Sequence, residues 1–445
     1  MSAALPPGPS LPGLLQSLRL VTRPRPFLEQ CRRRFGDVFT LNAAPYGRMV
    51  YVADPDAIRR VFTGDPHVFH TGGVRRPLAP MLGTHSLLLL DEAEHLRERR
   101  LMLPPFHGEA LRGYPPLIRS IAEQQIERWP TGTPIPLRPR MQALTLEVIL
   151  RVVVGVRDAE ALARLRAGFT RLLDIRPTLL FLASALERDL RWFPPWRRFE
   201  ATRADVYDLL DDQIRRRRTE PPGDDVLSLL VHSETSDGDG LSDRELRDEL
   251  VTLLVAGHET TATALAWAFE RLTRNPAVLA RLRESLAAGD GAYLDAVVKE
   301  TLRSRPVVME VGRDLTEPIE LAGHRLPAGT RLMVAIGVVQ QTASHHPNPA
   351  RFEPQRFLEH EPPAYTWIPF GGGPRRCLGA SFATLEMATV IEAVLERFDV
   401  RAATPGPEPA RMRHVTYVPA RGGEVVLTPQ APHPLEKRPA VAVTN

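Results

Sequence analysis

The sequence predicts a mainly α-helical protein with small β-sheets at its margins, an α+β arrangement in one large domain. Three observations carry that reading. Helical periodicity runs from Pro55 to about Ala280, broken at proline and glycine clusters such as Pro130 to Pro136 and Pro221-Pro222-Gly223. Strand-like sequence is confined to Asp37–Asp54 and Ile319–Val334. The chain has no internal repeat and no long linker.

Residues 1–25 form a proline-rich lead-in, expected to be extended, with no charged start and no long apolar run of the secretory kind. Pro26 to Phe35 reads as a short helix with proline in its first turn. VFTLN and MVYVA then read as two strands joined by a turn at Pro45-Tyr46-Gly47. A long helix is expected from Asp243 to Arg274. Ser242 and Glu245 form a capping box, Leu241 and Leu246 a hydrophobic staple, and Asn275-Pro276 ends it. At 1.5 Å per residue it spans roughly 48 Å. A further helix, about 291–304, carries Glu300 and Arg303 on one face. Residues 347–373 are rich in proline, glycine and aromatics, and Leu378 to Phe398 is an amphipathic helix. The domain is placed at 26–430, with 431–445 a frayed tail.

A chain of 445 residues can bury a large core without disulfide staples. Its two cysteines, Cys31 and Cys377, exclude a disulfide scaffold and a four-cysteine zinc site. A net charge of +4 is too small to argue for nucleic acid. Of the 57 basic residues 55 are arginine, which reads as coding bias, though arginine clusters still suit acidic partners. No window reaches 18 uninterrupted apolar residues, so no membrane anchor is expected and the cytoplasm is the expected compartment.

Two segments carry chemistry. The middle of the long helix, VTLLVAGHETTATALAWAF, is apolar on nearly every face and is expected to be buried. A glycine and an acid there, Gly257 and Glu259, cost stability and point to a site. The second is Phe370-Gly371-Gly372-Gly373-Pro374-Arg375-Arg376-Cys377-Leu378-Gly379. Its glycines allow a tight turn, and it places Cys377 at a helix start beside two arginines, which favours thiolate. The bland alternative is an inert buried cysteine. One thiolate without His or Cys companions suits a metal held mainly by something else, and haem is the obvious candidate.

These residues resemble the cytochrome P-450 monooxygenases. Phe370, Gly373, Arg375, Cys377 and Gly379 match the F-x-x-G-x-R-x-C-x-G haem signature; Ala256-Gly257-His258-Glu259-Thr260-Thr261 match A-G-x-[DE]-T-[TS]. Glu300 and Arg303 match E-x-x-R, and Phe352 to Phe357 the meander motif, whose Arg356 would complete a structural triad. The resemblance covers roughly 26–428. It implies a single helical domain around a buried haem b, with Cys377 as axial iron ligand tuned by backbone amides. Glu259 and Thr260 would be the acid–alcohol pair that relays protons, with Thr260 bonding the Ala256 carbonyl and opening the helix. His95, Arg99, Arg313 and Arg375 would meet the haem propionates, and Ala256, Phe370 and Gly379 would border the cofactor.

The resemblance further implies oxygen insertion from O2 into an apolar substrate, a terpenoid, fatty acid, steroid or polyketide. Electrons would come from NAD(P)H through a ferredoxin reductase and an acidic ferredoxin, received by a monomer. Arg97, Arg100 and Arg376 would face that ferredoxin. A peroxide-driven oxygenase, a haem-thiolate isomerase and a haem sensor or carrier are the alternatives; the first two typically lose the acid–alcohol pair. Pocket walls are expected from Val68–Leu90, Leu172–Trp196, Thr252, Val255 and Ala256, Val308 and Met309, and the region of Val415. Some decoys fall away. His258-Glu259 begins H-E-x-x-H, but Ala262 cannot ligate zinc. Asp237-Gly238-Asp239-Gly240 lacks the later ligands of a calcium loop. His345-His346 is expected to be exposed.

Overall fold

The computed structural model describes residues 5–44, 46–174, 193–235, 238–413 and 415–430. The chain forms two compact units. The first comprises Met1–His70, Ala122–Met141 and Thr260–Asn445; the second comprises Thr71–Ile121 and Gln142–Glu259. The tail at 431–445 and most of the expected pocket wall at 172–196 lie outside the described residues.

The first unit carries the sheets. Strands β1 (Val38–Ala43) and β2 (Gly47–Val52) form the expected hairpin, Val38 opposite Val52. Strands β3 (Phe69–His70), β4 (Pro134–Pro136), β5 (Val311–Leu315), β6 (Ile319–Leu321), β7 (His324–Leu326) and β8 (Arg331–Val334) follow. The main sheet has the order β1-β2-β8-β5-β3, with β2 and β8 its parallel pair. Leu28, Phe39, Tyr51, Ile58, Leu332 and Val339 pack its core, all fully buried. Toward the C-terminus, β9 (Phe398–Ala402), β10 (Ala410–Arg413), β11 (Thr416–Pro419) and β12 (Glu424–Pro429) make two smaller sheets, β4-β12-β9 and β10-β11. The strand-like stretch expected at 319–334 is three strands interrupted by turns, and β5 begins earlier, at Val311.

The lead-in differs from its expected extended form: Gly13–Thr22 is a helix. Gln16 anchors it, donating to the Leu11 carbonyl at 2.7 Å and accepting the Asn42 amide at 2.9 Å. A buried polar side chain with its donors and acceptors matched fixes the helix against β1. The next helix, Pro24–Phe35, has proline at its start as expected.

The second unit is helical. Ala159–Leu173 and Pro194–Thr219 pack closely at Gly168, where a Cβ would stand 2.8 Å from Val206. The long helix runs Asp243–Arg274, as the capping residues predict. Ser242 donates its amide to Glu245 at 2.7 Å, and Glu245 returns its own amide to the Ser242 hydroxyl at 3.3 Å. Up to Glu259 this helix belongs to the second unit, and from Thr260 to the first.

Candidate active site

In the first unit, the 370–379 loop is shaped by close backbone approach. Gly373 has φ +63°, and a Cβ there would lie 1.8 Å from the Phe62 carbonyl oxygen; one on Gly372 would lie 2.7 Å from the Phe62 ring. Only glycine fits both conditions at Gly373. The Cys377 amide donates to the Phe370 carbonyl at 2.9 Å, closing the loop. Cys377 is exposed, whereas Cys31 is buried and its thiol pushed up to about 11 by that burial. The helix begins at Ala380, with Gly379 before it, so Cys377 stands three residues ahead of the helix rather than at its first turn. Glycine and a following turn delay the start.

Phe62 has a second task. The Arg313 guanidinium, buried on β5, lies 5.5 Å from the centre of its ring and donates to the Gly312 carbonyl at 2.8 Å. One aromatic side chain thus braces both the cysteine loop and an arginine assigned to a propionate. Arg375 is half-buried and Arg376 exposed. Phe370 packs edge-on to Trp367, ring centres 6.3 Å apart. Sequence reading missed Phe62, since a phenylalanine on an amphipathic helix looks like ordinary core.

The triad is assembled. Arg303 grips both carboxylate oxygens of Glu300 at 2.6 and 2.8 Å and donates to the carbonyls of Gln340, Pro349 and Arg351. Glu300 also accepts the Glu353 amide at 2.9 Å, and Arg356 Nε lies 3.3 Å from its Oε2. Glu300 and Arg303 are 0% exposed, so the surface-pair alternative does not apply. The triad ties the 347–356 stretch to the helix Ala292–Ser304. His346 is buried, a correction to its expected exposure: Nε2 lies 3.1 Å from the Thr366 carbonyl, and burial lowers its pKa to about 4.

In the second unit, the Glu259 carboxylate accepts the Gln142 side-chain amide at 2.5 Å. Thr145, one turn on from Gln142, donates its hydroxyl to the His258 carbonyl at 2.9 Å. That carbonyl belongs to the helix ladder, so a side-chain donor there loosens the helix beside the acid. Gly257 permits the approach: a Cβ would lie 2.3 Å from Ile149 Cδ1. The helix middle is less enclosed than its apolar sequence predicts. Ala256 is exposed, and Val255, Gly257, Glu259 and Thr260 are half-buried. Gln142 and Thr145 lie three apart on the helix Leu137–Val152, which also carries Arg138, Arg140, Glu147 and Arg151, so no sequence signal singles them out.

His95 is buried and Arg99 half-buried on the helix Glu92–Met102. Arg97 on the same helix is engaged. Its guanidinium meets Asp239 at 2.7 Å, Glu245 at 3.0 Å and the Gly240 carbonyl at 2.8 Å, while Arg100 is exposed. Among the expected pocket residues, Thr252 is buried. Its hydroxyl donates to the Asp248 carbonyl and lies 2.7 Å from the Ser86 hydroxyl. In the first unit Val308 is half-buried, Met309 is buried against Gly337, and Val415 is exposed.

The donor set suits haem. An exposed cysteine ends a glycine loop packed against Phe62, and among the described residues no group of three His, Cys, Asp or Glu could hold a bare metal ion. A lone sulfur donor fits an iron whose other ligands come from a macrocycle.

Known proteins agree with this geometry. The family model for cytochrome P450 matches residues 5–425. The protein named cytochrome P450 135B1 of Mycobacterium tuberculosis is 46% identical over 435 residues, covering 95% of this chain and 91% of that one. Cytochrome P450 135A1 of the same species is 39% identical, with coverage of 97% and 96%. Among solved structures, retinoic acid bound cyanobacterial CYP120A1 superposes with a TM-score of 0.82 at 24% identity, covering 96% of this chain and all of that one. The cytochrome P450DA heme domain gives 0.81 at 21% identity, with coverage of 97% and 99%. The cysteine loop, the acid–alcohol pair and the buried triad therefore have one explanation: this chain belongs to the cytochrome P450 family and is a haem-thiolate monooxygenase.

Proposed function

We propose that this monooxygenase carries haem b and inserts one oxygen atom from O2 into an apolar organic molecule of the terpenoid, fatty acid, steroid or polyketide class. Its electrons would come from NAD(P)H through a ferredoxin reductase and an acidic ferredoxin. The observation that carries the reading is the Glu259–Thr260 pair with its acid fixed by Gln142. Peroxide-driven and isomerising relatives typically lose this acid–alcohol pair, so its presence favours use of O2.

The haem, when bound, supplies oxygen activation at its iron. Cys377 would hold that iron through its thiolate, and the glycine loop that leads to it packs against Phe62. Arg313, braced on the same ring, would meet a propionate, as would Arg375, His95 and Arg99. Glu259 would hold a proton and Thr260 would pass it on, with Gln142 setting the direction of the carboxylate. A helix middle with Val255 and Gly257 half-buried and Ala256 exposed would admit apolar substrate.

The test is spectroscopic and then kinetic. The purified chain should bind one haem b and give the thiolate-type carbon monoxide difference spectrum, and it should consume NAD(P)H when supplied with a surrogate ferredoxin and reductase. Cys377→His should convert the spectrum to the histidine type and abolish oxygenation. A thiolate spectrum retained in Cys377→Ala would overturn the ligand assignment, and peroxide support without NAD(P)H support would favour the peroxide-driven alternative.

A further inference from the structure

In the first unit, the helix Gly13–Thr22 has its polarity inverted. Its polar residues turn toward the protein. Gln16 is buried on its bonds to the Leu11 carbonyl and the Asn42 amide, and Ser17 donates to the carbonyls of Gly13 at 3.0 Å and Ala44 at 3.2 Å. Its apolar residues turn to solvent: Leu14, Leu15, Leu18 and Val21 are 76, 46, 57 and 65% exposed. Leu14, Leu18 and Val21 succeed one another at i, i+4 and i+7, so they make one stripe, with Leu15 beside it. This helix thus holds four of the eight large apolar side chains that are exposed among the described residues. Two more belong to neighbouring turns. Tyr46 lies two residues beyond Ala44, and Val415 follows β10, a strand that the helix touches. Single exposed apolar residues need no explanation, but a grouped set anchored in one orientation marks a surface that is covered in use.

The charge around this stripe has one sign. Residues 1–28 contain three arginines, Arg19, Arg23 and Arg25, and no acid. Arg25 is offset by Glu29 at 2.9 Å. Arg19 and Arg23 are exposed, as are Arg48 on β2 and Arg411 on β10. The Arg19 guanidinium lies 5.7 Å from the centre of the Phe27 ring, a contact that leaves its positive charge uncompensated. Leucines flanked by guanidiniums match the boundary of an anionic bilayer, where apolar side chains enter the acyl region and arginine stays with the phosphates. A second copy of this chain fits less well, because a two-fold contact would set the same arginines against each other. Ten residues of helix span roughly 15 Å, half of a bilayer core, and no helix among the described residues is long and apolar enough to cross a membrane. The helix would therefore lie in the surface plane.

We propose that the helix Gly13–Thr22 docks this protein peripherally on an anionic lipid bilayer, with Leu14, Leu15, Leu18 and Val21 entering the acyl boundary and Arg19 and Arg23 meeting lipid phosphates. The proposal goes beyond the monooxygenase reading and does not rest on it. Sedimentation of the full chain with vesicles tests it, using phosphatidylcholine alone and phosphatidylcholine mixed with phosphatidylglycerol. The mixed vesicles should bind about tenfold more tightly, and raising salt should remove most of that difference. Leu18→Asp, at an exposed position, should lower binding to the mixed vesicles by about tenfold or more while leaving the melting temperature unchanged. Arg23→Gln should lower it by roughly fivefold and leave the weak binding to phosphatidylcholine as it was. Absence of binding to the mixed vesicles, equal binding to the two vesicle types, or equal binding by parent and Leu18→Asp would overturn the proposal. So would a dimer of the parent, seen by gel filtration without vesicles, that Leu18→Asp dissolves; that result would assign the stripe to a second copy.

Discussion

Gln142 holds the carboxylate of Glu259 through a 2.5 Å hydrogen bond from its side-chain amide. Such a hydrogen bond is worth roughly 0.5–1.5 kcal/mol, enough to bias the direction of a carboxyl that must pass a proton. Gln142→Leu keeps the size and removes the donor. It should leave substrate affinity intact, lower product formed per NAD(P)H several-fold and raise peroxide release. Thr260→Ala should do the same more severely, because it removes the relay itself. The product-to-NAD(P)H ratio is the readout, and an unchanged ratio in Gln142→Leu would show that Glu259 holds its position unaided.

Glu300 is placed to stabilise rather than to react. It is fully enclosed and faces Arg303 and Arg356; neutralising it leaves the buried Arg303 guanidinium without its counter-charge, while Arg356 keeps Glu353 at 3.0 Å. Glu300→Gln should cost about 3–5 kcal/mol and lower the fraction of chain that retains haem. Asp295 on the same helix provides the contrast: it pairs with Lys299 at 2.6 Å, but both side chains are more than a third exposed. Asp295→Asn should cost less than about 1 kcal/mol. Urea unfolding midpoints of the two variants compare them directly, and similar losses would refute the difference in burial.

The sequence was most informative where chemistry demands a rigid local pattern. The capping box at Ser242 and Glu245 and the glycines before Cys377 were legible because each answers a local geometric need. What failed to appear were partners far away in the chain. Phe62 supports a loop 310 residues on, through a carbonyl and a ring face that leave no mark on neighbouring residues. Gln142 meets Glu259 across 117 residues. The helix Gly13–Thr22 was concealed by its proline-rich approach, because its anchor, Gln16, finds the Asn42 amide only once β1 is in place. E-x-x-R taken alone resembles a surface pair, and only the folded chain shows that carbonyls of Gln340, Pro349 and Arg351 complete it.

The arginines assigned to the electron donor are not equivalent. Arg97 is occupied by Asp239 and Glu245, so its charge is largely offset. Arg100 and Arg376 are exposed. Steering depends on uncompensated charge and fades as salt rises. Charge reversal at Arg100 or Arg376 should slow reduction by an acidic ferredoxin by roughly tenfold at low ionic strength, with substrate affinity unchanged. Arg97→Gln should have a much smaller effect on that rate. Stopped-flow reduction at two salt concentrations checks this, and equal rates for parent and both reversals at low salt would mean that the ferredoxin docks elsewhere.

Glu98 and Glu249 make the second unit sensitive to pH. Glu249 accepts the Leu87 amide at 2.5 Å and stands against Glu98, and one oxygen of each carboxyl, Oε2, is buried without a hydrogen-bond partner. Burial pushes Glu98 up to about 7 and Glu249 well above the usual carboxylate range, the second helped by its acidic neighbour and by Asp248. The hydrogen bond with Glu249, then Arg97 and His85, pull Glu98 the other way but do not prevail, and Glu245 adds to the rise. A raised carboxyl pKa means that the folded chain binds the proton more tightly than the unfolded one. Stability from Glu98 is therefore fully present below about 4.5, the ordinary value, and is lost as pH rises through about 7. Glu98→Gln removes one titration and keeps a neutral hydrogen-bonding group. The melting temperature of the parent should fall relative to that of Glu98→Gln as pH is raised from 5 to 7.5. Parallel profiles over that range would mean that Glu98 titrates as it does in the unfolded chain.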